Sequence, residues 1–99
     1  MQWKDITTYS HGDNVREPRI WKLELENKTV LVVHRHIWYE NTWLMSASVA
    51  GCDVLDKIDL QTNDIKQAKT RAVMGFRKYL ADYKEVIDTA ISMLSEVKG

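Results

Sequence analysis

The 99-residue chain has one cysteine, one proline and no long apolar run. A lone Cys52 cannot form a disulfide within the chain, and the N-terminus lacks the basic stretch and apolar run of a secretory signal. We therefore expect a protein of a reducing compartment, the cytoplasm. The longest purely aliphatic run, residues 30–33, is far shorter than the ~20 apolar residues that cross a bilayer, so we expect no membrane segment.

Glycine is also scarce, with four residues scattered at positions 12, 51, 75 and 99. This scatter excludes a phosphate-binding glycine loop and a dinucleotide fingerprint. His34 and His36 would project from the same side of a strand, but the four ligands of a structural zinc site are not present at a supporting spacing. Cys52 has no evident partner that would activate its thiol. We therefore expect no catalytic activity, no bound metal and no cofactor.

The composition that is present, 44% hydrophobic and 28% charged residues, is typical of a folded domain. β-Branched and aromatic residues concentrate before Ala50, whereas a helical periodicity appears only after Asn63. This segregation predicts one α+β domain over residues 1–99, with a sheet in residues 1–60 and helical structure in residues 61–99.

Alternating apolar and polar residues predict three strands, at 19–26, 29–39 and 42–49, joined as an antiparallel meander. Residues 54–60 can supply a fourth strand, at an edge of the sheet because of its charges. Residues 1–9 could be a further short strand or an anchoring arm. We therefore predict a three- to four-stranded sheet. On the second strand Leu31 and Val33 share one face, while His34, His36 and Trp38 share the other.

The apolar residues between Ile65 and Leu94 follow spacings of three and four, which keep them on one side of a helix. Asp64 and its neighbours are suited to cap the start of that helix. One helix over 64–97 would be about 50 Å long, more than a domain of this size needs. Because Asp82 and Glu85 resemble a capping box, we predict two helices, 64–81 and 83–97, with one continuous helix as the alternative.

Three surfaces are candidates for function. An exposed tryptophan–histidine face would form a partner-binding patch, comprising His34, Arg35, His36 and Trp38. A basic helix face could contact nucleic acid, although the pI of 6.8 is low for that role, through Lys66, Lys69, Arg71, Arg77 and Lys78. The C-terminal helices of two copies could pair as a homodimer through Tyr83, Ile87, Ile91 and Leu94. A helix broken at Asp82 would instead fold back and leave a monomer.

Three segments, residues 3–10 (WKDITTYS), Trp21 with residues 33–37 (VHRHI), and residues 64–69 (DIKQAK), resemble small uncharacterised proteins encoded by bacteriophages and prophages. The resemblance implies a protein that acts in the host cytoplasm by binding, including inhibitors of host defence of the anti-CRISPR kind. The net charge of zero departs from the acidic, DNA-mimicking inhibitors. We expect a non-enzymatic protein-binding module that inhibits a host protein such as a CRISPR effector; the alternative is a small nucleic-acid-binding domain.

Overall fold

A computed structural model of the chain describes residues 2–7, 19–35 and 42–97. Within these ranges the chain forms an antiparallel sheet followed by one helix, which confirms the α+β prediction. The strands follow one another in space in chain order: β1 (Lys4–Asp5), β2 (Ile20–Glu24), β3 (Val30–His34), β4 (Leu44–Val49) and β5 (Cys52–Asp59). The sheet has five strands rather than three or four, because the N-terminal segment pairs with β2 as a short edge strand. The helix α1 spans Ile65–Ser95.

Two tight turns connect the central strands. Asn27 and Lys28 between β2 and β3 have φ angles of 60° and 58°, and Ala50 and Gly51 between β4 and β5 have 53° and 85°. Two-residue loops with both φ angles positive twist in the same sense as the strands they join, and this sets the register next to each turn. Further along the second hairpin the register shifts between Met45 and Ala47 and again between Ala47 and Ser48. The predicted edge strand is β5, which begins two residues earlier than expected because the turn takes only Ala50 and Gly51. The last part of the predicted strand 29–39 lies outside the described residues.

The core lies between one face of the sheet and the first half of α1. Leu31 and Val33 are 1% and 0% exposed, and their neighbours on β3 face the opposite side, as the alternation predicts. The helix contributes Ala68, Ala72 and Phe76, and it packs across β3 and β4. The two alanines are fully buried, so the helix lies close to the strands at this point.

The prediction of two helices is wrong, because α1 continues through Asp82 without interruption. Asp64 caps its start, where the side chain accepts a hydrogen bond from the Lys66 amide at 3.1 Å. Residues 78–86 contain neither proline nor glycine, and Asp82 is exposed on the helix surface. An exposed aspartate inside a helix costs only about 0.5 kcal/mol, which its helix-forming neighbours offset. No helix within the described ranges is long and apolar enough to span a membrane.

We expect Gly75→Ala to stabilise the protein. Gly75 lies inside α1 without a positive φ angle, and a Cβ atom there would sit 3.7 Å from the Met45 sulfur, an ordinary contact. Replacing a helical glycine by alanine should therefore raise the free energy of unfolding by about 0.5–1 kcal/mol, measured by chemical denaturation. Ala72→Gly, on the same helix, is the control and should destabilise. A lower stability of Gly75→Ala would mean that α1 and β4 lie too close together at this point to accommodate a Cβ atom.

Candidate interaction surface

The second half of α1 extends beyond the sheet. Leu80 is the last helix residue that packs against the core, and residues 81–97 are all exposed; we call residues 81–97 the overhang. Tyr79 and Tyr83 stack at the junction, with ring centroids 5.9 Å apart and planes 11° from parallel. The molecule is accordingly elongated, with dimensions of 65 × 25 × 24 Å.

The overhang carries a continuous apolar face. Positions 80, 83, 87, 90, 94 and 97 follow the 3-4-3-4-3 spacing of a coiled-coil seam, and three further apolar residues widen it. At 100° per residue the apolar side chains occupy an arc of about 160°. We call this set the apolar stripe: Leu80, Tyr83, Val86, Ile87, Ala90, Ile91, Met93, Leu94 and Val97. It lies on the same side of α1 as the residues that pack on the sheet.

The remaining side of the overhang is polar and acidic. Four carboxylates, those of Asp82, Glu85, Asp88 and Glu96, stand against Lys84 alone. Lys84 approaches Asp88 at 3.7 Å, one helical turn further along. The preceding half of the helix has the opposite balance, with five basic side chains against Asp64. The two halves of α1 therefore differ in net charge, and only the first half packs against the sheet.

Lys69, one of the five predicted phosphate contacts, lies on the sheet side of α1. Its ammonium group is 3.6 Å from the centroid of the Trp21 ring and 5.7 Å from that of Trp3. Burial lowers the pKa of Lys69, because the charged form loses hydration, while the π faces of the two rings favour the cation. This lysine links α1 to β2 and the N-terminal segment.

Arg71 is also engaged within the fold. Its guanidinium donates hydrogen bonds to the carbonyl oxygens of Leu60 at 2.8 Å and Gln61 at 2.9 Å. These bonds tie α1 to the turn that follows β5. Lys66, Arg77 and Lys78 remain exposed, but adjacent helix positions such as 77 and 78 point about 100° apart. Two of the five basic residues, Lys69 and Arg71, thus contact other parts of the fold, while Lys66, Arg77 and Lys78 are exposed.

Arg71→Ala should destabilise the protein by about 1.5–3 kcal/mol, the range for hydrogen bonds to charged groups. Lys78→Ala on the same helix should change the free energy of unfolding by less than about 0.5 kcal/mol, because it removes no described contact. Chemical denaturation of the two variants measures this difference. Equal stability of both variants would mean that the two carbonyl contacts of Arg71 do not support the fold.

Two members of the predicted partner-binding patch, His36 and Trp38, lie outside the described residues. His34 is on the outer face of β3, where its Nε2 atom is 3.0 Å from the Ser46 hydroxyl. That hydroxyl also accepts the Lys57 amide at 3.1 Å and lies 3.5 Å from an Asp56 carboxylate oxygen. Serine occupies the middle of this chain, whereas a catalytic triad has histidine in the middle. The cluster therefore links β3, β4 and β5.

Arg35 packs on an aromatic ring, and Cys52 lies at the start of an edge strand. The Arg35 guanidinium lies over Trp43, with 5.5 Å between its central carbon and the ring centroid. Cys52 is exposed as the first residue of β5. Among the described residues, no group of three potential metal ligands comes together.

The structure places all four residues of the predicted dimer interface on the apolar stripe: Tyr83, Ile87, Ile91 and Leu94. Val86 and Met93 also belong to it, with exposed fractions of 63% and 65%, and the sequence prediction left them out. Their position beside the coiled-coil seam was the signal that could have identified them. Because α1 does not fold back, the described chain leaves the stripe uncovered; pairing with a second copy stays a prediction.

No family model, curated protein or solved structure matches this chain. The resemblance to phage-encoded proteins therefore stays a prediction from the sequence.

Proposed function

We propose that the protein is a non-enzymatic protein-binding module and that the apolar stripe is its main association surface. The observation that carries this proposal is the exposure of large apolar side chains along one helix face, with Ile91 57% and Leu94 70% exposed. Large contiguous patches of exposed apolar side chains mark interaction sites on folded domains. Helix faces with anchors three, four and seven residues apart are a recurrent means of protein recognition.

The total surface supports the same conclusion. The chain exposes 7797 Å², whereas a compact monomer of this mass would expose about 5,800 Å². The radius of gyration is 17.1 Å, against about 12.6 Å for a compact domain of this length. An isolated chain would thus leave about 2,000 Å² more surface in water than its size requires. Burial of the stripe against another protein removes part of this excess.

A binding role also agrees with the chemistry of the described polar groups. The Ser46 hydroxyl accepts the Lys57 amide and contacts His34, so these contacts hold neighbouring strands together. The hollow beside it, on the outer face of the sheet, has a volume of about 160 Å³. Pockets for small ligands usually hold about 300–1,000 Å³, so this hollow is small for such a ligand. An open hollow on α1, beside Lys66 and Arg71, is larger, at about 510 Å³.

The resemblance to phage-encoded proteins suggests the class of target. We propose that the module binds a bacterial host protein, such as a CRISPR effector, and inhibits it in the host cytoplasm. The net charge of zero argues against mimicry of DNA. Engagement of Lys69 and Arg71 within the fold disfavours the alternative role in binding nucleic acid.

The stripe should be required for retention of a protein partner. We expect tagged protein, incubated in a bacterial lysate that also contains an untagged second copy, to retain at least one protein at micromolar concentration. The double variant Ile91→Glu with Leu94→Glu should lose that protein, because two carboxylates would have to be buried at the contact. Mass spectrometry of the retained fraction identifies the partner.

The matched control is Thr89→Glu with Ser92→Glu, which adds the same charge to the polar side of the overhang. This control should retain the partner. Equal retention by both double variants, or no retained protein with the unmodified chain, would contradict a binding role for the stripe. Salt-dependent retention of DNA or RNA in place of protein would favour the nucleic-acid alternative.

A further inference from the structure

We infer that the partner on the apolar stripe is a second copy of this chain, whose overhang packs antiparallel against the first. This inference rests on the proposed function, since it names the occupant of the same surface. Three features of the described residues lead to it: the position of the sheet, the spacing of the stripe and the area it presents.

The position of the sheet excludes a parallel pair. The stripe and the sheet lie on the same side of α1, so two parallel helices would place both sheets between their first halves. A helix and a sheet each take up about 10 Å, whereas paired helix axes are only 8–10 Å apart. Two straight parallel helices cannot be 8–10 Å apart along their second halves and also leave room for two sheets between their first halves. In an antiparallel pair each sheet instead lies beyond the end of the other helix.

The spacing of the stripe matches itself in the antiparallel direction. If Ile87 lies opposite Ala90 of the second copy, Tyr83 lies opposite Leu94 and Leu80 lies opposite Val97. Each layer joins the two alternating seam positions, as antiparallel coiled coils require. In this register the second helix ends beside Leu80, where cover by the first sheet also ends. In this register the two overhangs therefore pair along their full length.

The area of the stripe is sufficient for a stable pair. Seven of its side chains are 40% to 70% exposed: Tyr83, Val86, Ile87, Ile91, Met93, Leu94 and Val97. Together they present on the order of 700 Å², close to the ~800 Å² that each partner contributes to a standard interface. The small Ala90 opposite Ile87 allows the two helices to approach closely at the centre.

The charges fit this arrangement. No acidic residue of the overhang occupies a seam position, so the seam is free of carboxylates. The end of each helix, with Glu96 and the negative end of the helix dipole, would lie beside the turn of the other helix that carries Arg77 and Lys78. The two sheets would stand at opposite ends of the pair.

Disulfide trapping tests the pairing and its direction. In a Cys52→Ser background, Tyr83→Cys protein is mixed with Leu94→Cys protein, allowed to exchange subunits and oxidised mildly. We expect covalent dimer from the mixture and not from either protein alone, because positions 83 and 94 are about 16 Å apart along a helix. Glu85→Cys mixed with Ser92→Cys is the control: it has the same axial register on the polar side and should not cross-link.

Self-linking of either single variant would show a parallel pair and overturn the inference. Light scattering on the unmodified chain is independent of any substitution and should give twice 11.6 kDa at micromolar concentration. Ile87→Lys should reduce that mass to one chain, whereas Thr89→Lys should not. A strictly monomeric unmodified chain, or an assembly larger than two chains, would contradict the inference. If a monomer still retains a host protein through the stripe, the proposed function stands without it; if nothing is retained, both fail.

Discussion

The sheet is too narrow for the helix that packs on it, and this mismatch determines the shape of the molecule. Five strands at 4.8 Å spacing span about 20 Å, whereas a helix of 31 residues is about 46 Å long. The first half of α1 closes the core through Ala68, Ala72 and Phe76. The second half has the same apolar side and no sheet beneath it. The apolar face of α1 therefore continues into the half of the helix that is exposed to solvent.

The energetic consequence concerns the second half of the helix. Isolated helices of about 15 residues are marginal in water, and most helical stability in proteins comes from packing of an apolar face. The covered half supplies a nucleus, so the overhang continues an existing helix and avoids the cost of starting one. Burial of the stripe at about 25 cal/mol per Å² would add the stabilisation that the overhang lacks alone. The proposed association would thus also stabilise the helical overhang.

Much of the fold could be predicted from the sequence, because β2, β3 and β4 contain alternating apolar residues and Asn27-Lys28 marks a turn. The two polar residues of β1 give no such signal. The continuous helix could not, because Asp82 and Glu85 have the residue types of a cap and only the structure shows that the chain passes through them. The residues of the predicted dimer interface were chosen from periodicity, and the structure places them on the exposed apolar stripe. The structural roles of Lys69 and Arg71 depend on Trp21 and on the carbonyl of Leu60, which are distant in sequence, so composition alone suggested a basic face.

Amide hydrogen exchange at several protein concentrations tests the central claim, that the overhang is a helix stabilised by association. Amides of residues 68–80 should exchange slowly at every concentration, because the sheet covers this half. Amides of residues 83–95 should be protected at high concentration and exchange faster on dilution, as dimers dissociate. Fast exchange of residues 83–95 at all concentrations, or protection that does not change on dilution into monomeric protein, would contradict the account.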